Sequence, residues 1–257
     1  MTTRIPRPVV RVGRNMFWTA SALVPHFKWR SGNYKRVYLY HVRKTGGTSV
    51  IFAFMRLSGA DPHLIERGIA RHTFAQANGY RYAAGDNIAL LRRGNYFFGF
   101  CHQPAYAIEI PEDTFRFTVL RDPISRVVSL YRYLASPSSD SSFYLKAPPA
   151  ERRWAMGGFD VFLDQVPRSH IANQLHMFSR SGSVGEAVDR LSRLDMVLRT
   201  EQLDLDLRRL AQALNLELSL TNERTSLLPF SPTSVQLERL QILLADEYEM
   251  FRQMSIS

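Results

Sequence analysis

The chain has 257 residues, 45% of them hydrophobic, a net charge of +10 and a single cysteine, Cys101. That length suits one sizeable core in one α/β domain, and a lone cysteine excludes a disulfide framework within the chain. No apolar run reaches the ~18–20 residues that span a bilayer, which excludes a membrane-spanning helix. The charge is uneven: residues 1–60 hold eleven Lys or Arg and no Asp or Glu, while the rest nearly balances. A basic region of this kind suits an anionic ligand, an acidic substrate, a nucleic acid or an anionic membrane surface.

Residues 1–34 contain Pro6, Pro8 and Pro25 and little periodicity, so they read as a basic arm, with 35–257 as a single domain. Within the arm, Arg4, Arg7, Arg11 and Arg14 precede "MFWTASALV" (16–24). That is the outline of a signal peptide, but the run is short and diluted by Thr19 and Ser21. An arm lying on the protein or touching a membrane face fits better. With no sign of an oxidising compartment, the expected location is cytoplasmic, with membrane association through the arm.

"RVYLYH" (36–41) predicts a buried strand, and "TSVIFAFMRLS" (48–58) a helix with Val50, Phe54 and Leu57 on one face. "GNYFFGF" (94–100) and "FRFTVL" (115–120) predict two further strands. "DPISRVVSLYRYL" (122–134) predicts a helix, because Asp sits at the N-cap and Pro at the first helical position. "SPSSDSS" (136–142) reads as a loop, and "LDMVLRT" (194–200) as a strand followed by a helix near 203–214. A last helix over about 234–252 carries Leu237, Leu240, Leu244 and Tyr248 at helical spacing. Strands alternating with helices predict an α/β protein: a three-layer, P-loop-like fold with a central parallel sheet flanked by helices.

Two segments carry chemistry. In "YLYHVRKTGGTSV" (38–50), Lys44 follows a strand, Gly46 and Gly47 let backbone N–H groups crowd an anion, and Thr48 and Ser49 open a helix. Thr45, Thr48 and Ser49 add hydroxyl donors, and the group predicts a phosphate or sulfate site. The lysine precedes the glycines, the reverse of the order in nucleotide triphosphatases. In "TVLRDPISRVVSLYRY" (118–133), Arg121 ends a strand. Ser125, Ser129 and Arg132 follow at helical spacing and can share a face. A planar guanidinium beside a hydroxyl makes a second anion site. Two such sites at strand ends of one sheet predict a ligand with two separate phosphate-type groups.

In these residues the chain resembles a known family. "HVRKTGGTS" looks like the 5′-phosphosulfate loop of sulfotransferases, and "TVLRDPISRVVSLYRY" looks like their 3′-phosphate motif. The pattern is closest to the carbohydrate branch that includes heparan sulfate 2-O-sulfotransferases, written H-I-P-K-T-G-G-T-S and L-R-D-P-x-x-R. The resemblance covers roughly residues 36–135, with weaker echoes in "IANQLHMFS" (171–179) and "DMVLRTEQL" (195–203). It implies the donor 3′-phosphoadenosine-5′-phosphosulfate and an O-sulfotransferase activity on a hydroxylated acceptor, foremost a glycan, then a lipid or a tyrosine. Carried over by position, Lys44 would contact the 5′-phosphosulfate and stabilise charge on the leaving phosphate. Thr45, Gly46, Gly47, Thr48 and Ser49 would wrap that group, and Arg121 and Ser129 would hold the 3′-phosphate. Arg43 stands where the family usually has Pro, and the resemblance assigns it no role. Arg224, in "NERTS" (222–226), lies where the family often has a loop over the nucleotide, which makes it a third candidate for the 3′-phosphate.

Sulfuryl transfer to an alcohol needs a group that takes the hydroxyl proton, for which a histidine or carboxylate serves. His102, in "FFGFCHQPAY", leaves the end of a predicted strand between the two anion motifs, where the family carries its base; the spacing from Gly99 differs from the family's. His41 reads as structural, and His72 is a second candidate base. Trp18, Trp29 and Trp154 could stack on a sugar or adenine, although aromatics mostly pack in cores. No Cys/His cluster suggests a metal. Two alternatives remain at this point. A P-loop kinase or NTPase would need a Gly-x4-Gly-Lys-Ser/Thr run, which the loop lacks. A nucleic-acid-binding module would explain the basic first 60 residues, but no nucleic-acid motif accompanies the charge.

Overall fold

A computed structural model describes residues 29–85, 88–136, 148–220 and 229–255. Most of the basic arm, Trp18, Arg224 and most of the 136–142 loop lie outside these residues. The described chain builds six strands: β1 (Arg36–Tyr40), β2 (Phe74–Ala77), β3 (Tyr80–Ala84), β4 (Phe98–Cys101), β5 (Thr114–Leu120) and β6 (Met196–Arg199). They form one sheet in the order β2-β3-β4-β1-β5-β6. Every pairing is parallel except the edge pair β2–β3.

The strands are short and buried on both faces, as a sheet covered on each side requires. Alternation along β1 sorts the core. Val37 and Leu39 face one layer: α1 (Gly47–Arg56), α2 (Pro62–His72) and α10 (Leu203–Leu214). Tyr38 and Tyr40 face the other: α3 (Ile88–Arg93), α8 (Asn173–Phe178), α9 (Val184–Ser192) and α12 (Ala245–Gln253). A third apolar cluster joins α4 (Pro123–Ala135) to α6 (Phe159–Gln165) and α11 (Ser234–Leu243). The short helices α5 (Pro149–Arg152) and α7 (Arg168–Ile171) complete the set. This is the three-layer α/β architecture predicted from the alternation of elements.

The helix predicted at 122–134 forms for the expected reason. The Asp122 side chain accepts from the Ser125 amide at 2.7 Å and Pro123 occupies the first turn. Such a cap contributes about 1 kcal/mol. Two expectations are corrected, and one element is added. The second strand starts at Phe98 rather than residue 94, because Gly94 adopts a left-handed backbone (φ 68°) that ends the preceding α3 and interrupts an extended run. The edge hairpin β2–β3 was not anticipated. Asn78 and Gly79, with φ of 44° and 81°, make the two-residue turn that its Asn-Gly pair favours. The last helix is broken at Leu244 into α11 and α12 with no Pro or Gly to signal it. The break lets Leu240 and Leu244 pack in the α4 cluster while Met250 and Phe251 pack against the layer of α8 and α9.

Candidate active site

Four adjacent strands end at one cleft. His41, Arg43 and Lys44 follow β1, His102 follows β4, Arg121 follows β5, and Thr200 to Leu205 follow β6. Together with Gly46 to Ser49, Ser129 and Tyr133 they line a cavity of about 1000 Å³. Crevices at the carboxyl ends of parallel strands are where open α/β sheets place their ligands.

The loop after β1 is held in an unusual backbone. Lys44 has φ 68°, which costs a non-glycine residue roughly 1–2 kcal/mol. Gly46, at φ 82°, caps α1 with no side-chain hydrogen bond. Gly47 is required by space: a Cβ there would lie 2.5 Å from His41 Cδ2. Gly47→Ala is therefore expected to lower stability by about 1–3 kcal/mol, read as a lower denaturant midpoint. An unchanged midpoint would mean that the His41 ring swings aside freely. The Lys44 ammonium lies 4.4 Å from the centre of the Tyr133 ring, on the cleft-facing side of α4.

Thr45 behaves differently from its neighbours. It is fully buried, its hydroxyl donates to the Val42 carbonyl at 3.0 Å, and it does not line the cavity. Its carbonyl accepts from the Thr200 hydroxyl at 2.6 Å, and the same hydroxyl lies 3.1 Å from the Leu120 carbonyl. Thr200 thus ties the β1 loop to the end of β5. The sequence did not single it out, although it sits in the "DMVLRTEQL" echo.

The second motif meets the first. The Arg121 guanidinium reaches the Lys44 carbonyl at 3.4 Å, and Ser129, two turns along α4, lines the same cavity. Desolvation lowers the Arg121 pKa from its ordinary value, with Glu201 and Asp122 opposing the shift, and the group remains a cation. Of the three side chains expected to share a polar face, Ser129 points to the cleft but Arg132 instead donates to the Phe230 carbonyl. Arg126, last of the quoted R-D-P-x-x-R run, is fully buried and donates to the carbonyls of His170 and Ile171.

His102 is an exposed residue on the cleft wall, one position beyond β4. Its Nδ1 lies 2.7 Å from the His41 carbonyl oxygen. A carbonyl only accepts, so Nδ1 carries the proton and Nε2 of the neutral ring is left with its lone pair. The two histidine rings lie 4.4 Å apart at 30°. Desolvation by the surrounding protein pushes the His102 pKa down to about 4, against the hydrogen bond that Nδ1–H donates to the His41 carbonyl. Because the ring is open to the cleft, hydration works against part of that desolvation, and the imidazole is neutral at pH 7.

Other candidates fall elsewhere. His72 closes α2 and does not line the cavity. Trp29 is buried against Phe97, and Trp154 packs edge-on to His170. Arg43 now has a place: its guanidinium forms a two-pronged pair with Glu151 at 2.6 and 3.0 Å on the cleft wall. Its backbone N–H donates to Asn173 Oδ1 at 3.3 Å, a bond that proline could not make. Among the described residues no group of three or more His, Cys, Asp or Glu is placed to hold a metal, and no helix is long and apolar enough to cross a membrane.

Sheet, loop and cleft define a three-layer α/β protein with a lysine–glycine loop lining a cleft at the strand ends. The family model described as "Sulfotransferase family" matches residues 28–235, and the chain belongs to that family, whose chemistry is sulfuryl transfer. A search of curated proteins finds no match.

Proposed function

We propose that the chain transfers the sulfuryl group of 3′-phosphoadenosine-5′-phosphosulfate to a hydroxyl of an acceptor, foremost a glycan, as in the branch that includes heparan sulfate 2-O-sulfotransferases. One observation carries this reading: the lysine–glycine loop and the Arg121–Ser129 motif line one cavity, with Arg121 touching Lys44. A ligand with phosphate-type groups at both ends of a nucleoside matches two such sites. The cations of Lys44 and Arg121 and the helix start at Gly47 also fit its charge.

In this reading Gly46 to Ser49 bind the 5′-phosphosulfate, and Thr45 contributes through its backbone only. Arg121 and Ser129 bind the 3′-phosphate. The acceptor oxygen attacks sulfur as the bond from sulfur to the bridging phosphate oxygen breaks, and adenosine 3′,5′-bisphosphate leaves. The hydroxyl proton passes to Nε2 of His102, and Lys44 meets the charge that grows on the departing phosphate. Arg224 remains a candidate for the 3′-phosphate, and the basic arm a candidate contact for an anionic membrane surface. Calorimetry with adenosine 3′,5′-bisphosphate tests the donor, and its failure to bind would sink the reading. A mass-shift screen of hydroxylated acceptors with labelled donor then identifies the acceptor class.

The pH dependence follows from His102. A base works when deprotonated, and a lowered pKa keeps it so on the acid side. The acid limb of kcat/KM, which reports free enzyme, is expected below the ordinary imidazole value of about 6.5. The limb of kcat is expected higher, because a bound polyanion favours the imidazolium. An acid limb of kcat/KM at 6.5 or above would count against His102 as the base.

A further inference from the structure

The second anion motif is gripped from behind by residues that lie outside the cleft. Gln174, on α8, is fully buried. Its side-chain oxygen accepts from the Arg121 amide at 2.8 Å, and its side-chain nitrogen donates to the Arg121 carbonyl at 2.9 Å. One amide thus closes both backbone valences of Arg121 and fixes the plane from which the guanidinium departs. Gln174 is itself fixed by Glu247, fully buried on α12. That carboxylate accepts from the backbone N–H groups of Gln174 and Leu175 at 2.6 and 3.1 Å, and from Gln174 Nε2 at 3.2 Å. Burial pushes the Glu247 carboxyl up, and the buried Arg126 cation is the first of the forces opposing it. The next residue, Tyr248, donates its hydroxyl to Asp122 Oδ2 at 2.9 Å, while the other Asp122 oxygen caps α4. Consecutive residues of α12 therefore brace consecutive residues of the motif. The family model's match ends at residue 235, before either of them.

We propose that Gln174, backed by Glu247, and Tyr248 are positioning residues that aim Arg121 at the 3′-phosphate. The C-terminal helix α12 is then part of the donor site's framework, although it lines none of the cleft. The grip is built in backbone hydrogen bonds to Arg121, so it acts on the direction of the Arg121 side chain and reaches the β1 loop only through the 3.4 Å contact of that side chain with the Lys44 carbonyl. The proposal rests on the donor reading above.

The test compares two ligands that differ only at the 3′ position: adenosine 3′,5′-bisphosphate and adenosine 5′-monophosphate. Gln174→Met keeps the volume and removes the amide. It is expected to weaken bisphosphate binding by about tenfold, the scale of one charge-assisted hydrogen bond, and monophosphate binding by less than about twofold. Tyr248→Phe removes one partly exposed hydroxyl and is expected to shift the same ratio by about threefold. It carries the test alone if Gln174→Met does not fold. A general loosening of the fold would weaken both ligands equally, and that outcome overturns the proposal while leaving the donor reading intact. If the wild-type protein binds the bisphosphate no better than the monophosphate, the 3′-phosphate reading fails and this proposal with it.

Discussion

Lys44→Ala is expected to lower kcat by about 10²–10³ while weakening adenosine 3′,5′-bisphosphate by less than about tenfold. The asymmetry comes from when the charge is needed. In the proposed ground state the 5′ group already has the amides of the α1 start and the hydroxyls of Thr48 and Ser49 around it. In the transition state negative charge moves onto the bridging oxygen of the leaving phosphate, and a full positive charge beside it is worth most there. The lysine is also held at some cost, in a left-handed backbone. Alanine at the same position keeps the loop's shape and leaves the stabilisation unmade. Single-turnover rates at saturating donor, beside calorimetry with the bisphosphate product, separate the two effects. Equal losses in rate and affinity would make Lys44 a uniform binding residue and remove it from the chemical step.

His102→Ala is expected to leave bisphosphate affinity unchanged and to lower kcat by about 10²–10⁴, the usual worth of a positioned base. His102→Asn is the sharper variant. Its side-chain amide can still donate to the His41 carbonyl, so the local packing keeps its hydrogen bond while the Nε2 lone pair is gone. If the hydrogen bond to His41 is all that matters, asparagine restores the rate; if proton transfer matters, both variants fall together. A near-normal rate in both would move the base to another residue of the cleft, with Glu151 and His41 the titratable neighbours on its wall.

Much of this architecture is legible in the sequence because its signals are local. Asp122-Pro123 starts α4 by a cap and a fixed φ, both properties of adjacent residues. The 203–214 helix and β1 follow from apolar spacing over a few residues. The Asn78-Gly79 turn was equally local, and its dipeptide would have revealed the β2–β3 hairpin. The break at Leu244 was not local, since it arises only when two apolar faces must meet two different layers.

The candidate site divides the same way. The sequence alone marked Lys44, Thr45, Gly46, Gly47, Thr48 and Ser49 as one candidate anion loop and Arg121 with Ser129 as another, and pointed to the sulfotransferase family, which the family match shows. Those are motifs of contiguous residues, and their chemistry travels with residue type and spacing. The tertiary structure decided what each residue faces. It turned the Thr45 hydroxyl inward to Val42, sent Arg132 to Phe230, paired Arg43 with Glu151 and set Gly47 against the ring of His41. It also brought His102 beside the loop, through the pairing of β4 with β1. These contacts join residues from 3 to 108 positions apart, and the longest of them depend on the crossover order of the strands. No window of sequence encodes that order. It is fixed only when the whole sheet closes and every buried polar group must find its partner.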